Sequence, residues 1–162
     1  MAEVLIRRLA ASDWAAFREA RLRALREAPG AFGSTAAQAE RLREDEWRRR
    51  LVDRAIFLAE VAGHVVGLAA GIKADHPGDA ELISMWVEPA WRGRGVGHRL
   101  VDAVLSWAAG EGFGGVRLWV AQGNARAERL YARQGFERTG EVQPMAAGAP
   151  ERLEFEMLRR VG

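Results

Sequence analysis

The chain has 162 residues, 49% of them hydrophobic, and 24 lysines and arginines nearly balance 22 aspartates and glutamates for a net charge of +2. That is enough chain for one domain with a real core, and too apolar for disorder; the even balance lacks the basic stripe of a dedicated nucleic-acid binder. No apolar run approaches the roughly 18 residues of a spanning helix, no charged start leads into an apolar leader, and no cysteine is present for a disulfide, a zinc thiolate or a nucleophile, so a cytoplasmic protein is the default expectation.

Residues 4–8 read as a short strand. Ser12 and Asp13 then suit a helix start, followed by Trp14, Phe17, Leu22 and Leu25 on one helical face. Arg18, Arg21, Arg23 and Arg26 fill the remainder, and Pro29 with Gly30 closes the helix. Residues 31–39 are weakly patterned and read as a loop with a turn of helix. A second helix begins near Glu44, acidic first (Glu44, Asp45, Glu46) and then basic (Arg48, Arg49, Arg50). That order complements the helix dipole and offers three i,i+4 ion pairs, with Trp47 and Leu51 on the apolar side.

Strands follow at 55–62 and 65–73, flanking a two-residue hairpin signal at Gly63-His64. Pro77-Gly78 marks a further turn, and 81–87 completes a three-stranded meander that Pro89 ends. Val96, Leu100, Ala103, Val104 and Trp107 recur at helical spacing until Gly110 and Gly112. Residues 116–121 form the next strand. Asn124 caps a helix running to about Gln134 with Ala127, Leu130 and Tyr131 inward. Two late strands, near 136–139 and 153–160, flank a loop over 141–150. The expected fold is mixed α/β (α+β), with helices packed on a central sheet.

The segment that carries chemistry runs from Glu81 to Gly97. A strand ends, and a loop with three glycines leads straight into an amphipathic helix. Glycine lets backbone amides converge without an intervening Cβ, and a helix N-terminus adds free N–H groups and partial positive charge. Arg92 and Arg94 add full charges. The result suits a phosphate or diphosphate without a metal. It is no nucleotide-kinase P-loop, because Gly-Lys-Ser/Thr is missing, and no dinucleotide fingerprint, because the third glycine position holds His98.

Read from Arg92, the pattern is Arg-x-x-Gly-x-Gly, which resembles the pyrophosphate loop of the GCN5-related N-acetyltransferase (GNAT) family. The resemblance covers nearly the whole chain, a single domain over 1–162, and the stretch from Asn124 to Phe136 looks like the family's second acetyl-CoA segment. It implies a mainly antiparallel sheet of about seven strands flanked by about four helices. It implies an acyltransferase that moves an acetyl group from acetyl-CoA to a primary amine by direct attack in a ternary complex, with no metal.

By the same resemblance, the backbone of Arg92, Gly93, Arg94, Gly95, Val96 and Gly97 holds the CoA pyrophosphate. Met85, Trp86 and Val87 pair with the pantetheine arm like an added strand, an amide near Trp86 or Val87 faces the thioester oxygen, and Asn124 touches the cofactor from the other wall. In the family, this strand splays from the next. Glu81 is the candidate base, with Asp79 and Glu88 as lesser candidates, and Tyr131, the only tyrosine, is the candidate acid toward the departing sulfur.

Each residue also has a plainer reading. Glu81 can be a salt-bridged strand residue, Tyr131 core, Asn124 only a cap. His64, His76 and His98 are scattered, and a metal site from them is not expected. Trp86 and Trp119 lie beside the expected slot as pocket or core. The Arg48–Arg50 run reads as a solvated face, with an acidic substrate or a CoA phosphate as its functional alternative. Acceptor specificity is expected in 29–52 and 141–150. The acceptor is a small amine or amino acid in the first reading and a peptide or protein amine in the second; a non-catalytic CoA-binding sensor module is the rival. No nucleic-acid or membrane partner is expected. A homodimer is an expectation the resemblance carries, because family members often pair through late strands.

Overall fold

The computed structural model describes residues 3–29, 32, 34–145 and 150–162. Seven strands form one sheet: β1 (Val4–Arg8), β2 (Ala55–Val61), β3 (His64–Lys73), β4 (Asp79–Val87), β5 (Gly115–Ala121), β6 (Glu137–Pro144) and β7 (Leu153–Arg160). Their order is β1-β2-β3-β4-β5-β7-β6, antiparallel throughout except where β4 runs parallel to β5. The helices are α1 (Trp14–Glu27), a five-residue α2 (Ala36–Glu40), α3 (Glu44–Asp53), α4 (Val96–Gly110) and α5 (Ala125–Arg133). The expected architecture is met, with α2 as a fifth helix inside the weakly patterned stretch; Thr35 caps it by accepting from the Gln38 N–H.

The strands alternate between two cores, as the two-residue period of a strand requires. Ala55, Phe57 and Ala59 of β2 face α4, whereas Ile56 and Leu58 face α1 and α3. On the second face, Phe17 meets Trp47 edge-on at 5.1 Å, and both rings are buried. Burying a side chain such as Phe17 contributes about 1.5–3 kcal/mol. On the first face, Trp107 of α4 lies across Gly71: a β-carbon there would sit 2.4 Å from the ring. Glycine in that strand is therefore a packing requirement.

Several boundaries differ from the sequence reading. The β2–β3 hairpin turns on Ala62-Gly63 rather than Gly63-His64. Val61 still pairs with His64, and both turn residues take positive φ, 49° and 81°. Strand β6 runs on to Pro144, so the first part of the expected loop, 141–144, is strand. Met145 N–H donates to Arg152 O across its end, and residues 146–149 lie outside the described residues, as does Gly30, half of the expected stop of α1. Among the described residues, one of the three expected i,i+4 ion pairs of α3 forms, Glu44–Arg48 at 2.9 Å; Arg43 at the cap position takes Asp45 and Glu46 instead. Arg21, expected on the polar side of α1, is buried.

Candidate active site

β4 and β5 pair only at one end. Asp79, Ala80 and Glu81 align with Gly115, Val116 and Arg117, and beyond them the strands part. The closed end is held by charge. Arg117 donates to Asp79 at 2.8 Å and to Glu156 of β7 at 2.9 Å, in a site almost shut to water. His76 and Arg160 also approach Asp79, at 3.3 and 3.5 Å. Asp79 is thus committed to structure, and so is Glu88, which accepts from Arg23 at 2.9 Å and lies 3.1 Å from His64. Neither is free to serve as a base.

A β-bulge shapes the open end. Leu68 aligns with Trp86 and Ala70 with Ile83, so Ser84 and Met85 stand against Ala69 alone. Ser84 takes φ 58°, the left-handed region that a non-glycine residue enters at a cost of about 1–2 kcal/mol. Two clefts meet at this point. The first, about 680 Å³, runs between the parted strands and is lined by Met85, Trp86 and Val87 on one wall and by Trp119 and Ala121 on the other. The second, about 500 Å³, opens beyond the bulge and contains Glu81. Phe32, Leu82, Ile83, Ser84 and Trp119 border both.

The first cleft ends at the glycine loop and α4. Gly93 and Gly95 take φ 77° and 85°, and Gly95 is the N-cap of α4. Arg99 N–H is the first to reach back, donating to Gly95 O at 3.1 Å, so the amides of Val96, Gly97 and His98 have no acceptor within the helix. Gly97 is the floor. A β-carbon there would lie 3.1 Å from Leu130 and 3.2 Å from Met85, filling the space above the helix end. Narrow slot, free amides and missing side chain together fit an extended ligand with a diphosphate at one end.

The loop's arginines divide their work. Arg92 Nε donates to Val87 O and its Nη2 meets Glu27 Oε2, both at 3.0 Å, and the same Glu27 oxygen accepts from Trp86 Nε1 at 2.8 Å. Arg92 therefore anchors the loop to β4 and α1. Arg94 stays exposed, stacked on Trp91 at 5.1 Å. Asn124 caps α5, accepting from Ala127 N–H at 3.2 Å, and also borders the cleft. Sequence reasoning missed Arg126, Arg129 and Arg133, which line the cleft from α5. Their spacing of three and four residues, one face of a helix, was the signal available.

Glu81 and Tyr131 are shifted in complementary ways. Burial, then Asp75, Glu154 and Glu156, raise Glu81 from its ordinary 4.5 to about 7. Burial alone raises Tyr131, which borders the first cleft and stays protonated at any physiological pH. Among the described residues no group of three histidines, aspartates or glutamates gathers as a metal site, and no helix is long and apolar enough to cross a membrane.

Comparison with known proteins agrees with this geometry. The sequence profile of the acetyltransferase (GNAT) family matches residues 14–136. An uncharacterised N-acetyltransferase of Mycobacterium tuberculosis is 36% identical over 110 residues, 67% of this chain and 68% of that protein. An acetyltransferase of the GNAT family from Streptococcus pneumoniae superposes with a TM-score of 0.80 at 20% identity, over 99% of this chain and all of that one. The yncA protein of Salmonella typhimurium, whose structure holds its cofactor acetyl-CoA, gives 0.77 at 22% identity, over 99% and 95% of the two chains. At such identities the superpositions speak for the fold, and the sequence matches carry the family. This chain belongs to the GNAT acetyltransferase family and is an acyltransferase.

Proposed function

We propose that the protein transfers an acetyl group from acetyl-CoA to the primary amine of a small molecule or amino acid. The observation that carries this is the meeting of the two clefts at Ser84. A slot suited to a thioester arm and a pocket holding a carboxyl group poised near neutrality open onto one another. Acetyl-CoA, which the Salmonella yncA structure holds, supplies an already activated acyl group, so no covalent enzyme intermediate is needed.

The chain's own residues do the rest. The amides of Val96, Gly97 and His98 bind the diphosphate, with Arg126 and Arg129 nearby as counter-charges, and the edge of β4 that parts from β5 at Met85, Trp86 and Val87 binds the arm. A protonated amine has no lone pair, so Glu81 takes the ammonium proton, directly or through water. The freed nitrogen forms the new N–C bond as the C–S bond breaks. A β4 amide near Trp86 or Val87 stabilises the charge on the carbonyl oxygen. Tyr131, kept neutral by burial, gives its proton to the departing sulfur, and the second proton, shed by the nitrogen as it becomes an amide, restores the phenol.

The test is a thermal shift with acetyl-CoA followed by thiol release across a panel of amines. Stabilisation by the cofactor and turnover on at least one small amine support the proposal. Cofactor binding without turnover on any amine overturns it in favour of a sensor module. Turnover confined to peptide or protein amines moves the acceptor to that class.

A further inference from the structure

Resting on that reading, we propose that the second cleft selects an acceptor that carries an anion as well as its amine, the anion docking on Arg21, Arg50 and Arg54. Arg21 is 9% exposed, and its Nη1 is buried without a hydrogen-bond partner among the described residues. It lines the cleft, with its guanidinium carbon over the Phe32 ring, 4.7 Å from the centroid. A buried donor on a charged group costs several kcal/mol unless something meets it.

Its neighbours do not meet it. Arg50 and Arg54 line the same cleft, and both repel Arg21. Burial and that repulsion lower Arg21 to about 10, and burial lowers Arg50 and Arg54 as well. Among the described residues none of the three forms an ion pair, although Arg23, Arg26, Arg43 and Arg48 nearby all do. Three converging guanidinium groups, one of them shut in and unsatisfied, fit a carboxylate or a phosphate, which each can grip with paired N–H donors.

Charge of the opposite sign lines the cleft as well. Asp75, Glu81, Glu154 and Glu156 line the same cleft. Arg117 takes up Glu156, and Gln143 donates to Glu154, whereas Glu81 has only carboxylates acting on it. An acceptor with an ammonium at one end and an anion at the other therefore has a single favourable orientation. Its nitrogen lies toward Glu81 and the bulge where the clefts meet, and its anion lies toward the arginines. A plain alkyl amine gains only the first half of that match.

The experiment compares kcat/KM for matched acceptors in the presence of acetyl-CoA: amino acids against their decarboxylated amines, and phosphoethanolamine against ethanolamine. The anionic partner of a pair is expected to be preferred by about ten- to a hundredfold, the worth of a charge-assisted hydrogen bond. The two pairs separate carboxylate from phosphate. In Arg21→Met, and in the more exposed Arg50→Gln and Arg54→Gln should Arg21→Met fail to fold, the preference ratio falls toward one, while Arg21→Lys retains part of it. Equal rates within both pairs, or a ratio that survives all three substitutions, overturn the anion site while leaving acetyl transfer standing. Turnover on no amine despite cofactor binding overturns both.

Discussion

The two clefts meet at one bulge but are built on different principles. The slot between β4 and β5 is made of backbone, a free strand edge, glycines with positive φ and the bare amides of α4. The second cleft is made of side-chain charge, brought together from α1, α3, β4 and β7. Backbone recognition suits a ligand that never changes. Charge recognition can be rewritten by single substitutions without disturbing the fold. The slot should therefore respond to changes of shape, and the second cleft to pH and charge.

Glu81→Gln breaks that contrast most sharply. It is expected to lower kcat by about 10²–10⁴-fold with the acetyl-CoA KM held, the range for losing a general base. In the unmodified enzyme, kcat is expected to rise with pH through about 7, as the raised Glu81 ionises against Asp75, Glu154 and Glu156, with Arg117 the neighbouring cation, and the variant is expected to lose that limb. The sign for stability is the reverse. The folded state holds this proton more tightly than the unfolded chain, so the contribution is complete below about 4.5 and lost as pH rises through about 7. Melting curves of Glu81→Gln should accordingly match the parent at pH 4 and lie above it at pH 8.

Arg117→Leu tests the ionic clasp at the closed end of β4 and β5. It leaves Asp79 and Glu156 buried without their common cation and is expected to cost about 3–5 kcal/mol in denaturant titration. A normal midpoint would mean that packing alone closes the sheet there. Gly95→Ala sharpens the shape side. Forcing a side chain into φ 85° costs about 1–2 kcal/mol, roughly five- to thirtyfold if expressed in the acetyl-CoA KM, with the pH limb still near 7. The smallest effect belongs to Arg126→Gln, an exposed counter-charge, with an increase of about two- to fivefold in that KM that fades as salt is raised.

The same contrast explains what was legible in the sequence. One wall of the slot and its glycine end come from one continuous stretch, Glu81 to Gly97, and glycine advertises its backbone role, so Gly93, Gly95 and Gly97 were readable in place. Periodicity placed the helices and strands to within a few residues. The second cleft was legible only at Glu81 and in the Arg48–Arg50 run, which carried an acidic substrate as its alternative; its charges lie far apart in the chain, and an arginine written in sequence does not state whether it is solvated. Arg21 nevertheless left a trace. It stands four residues from both Phe17 and Leu25, on the apolar line of α1, where a solvated arginine does not belong. Arg92, read as a cofactor contact, turned out to have Val87 and Glu27 as its partners, and no motif reports a side chain's partner.

That last pairing has a thermodynamic consequence. With Arg92 fastened at both ends, and with the same Glu27 oxygen also holding the Trp86 indole, the departure point of the glycine loop is fixed when the chain folds. The conformational entropy of ordering the receptacle is spent then, once, and not again at every encounter with a nucleotide. Loosening Glu27 would leave every amide in place and still weaken their collective grip, because each turnover would begin by reassembling it.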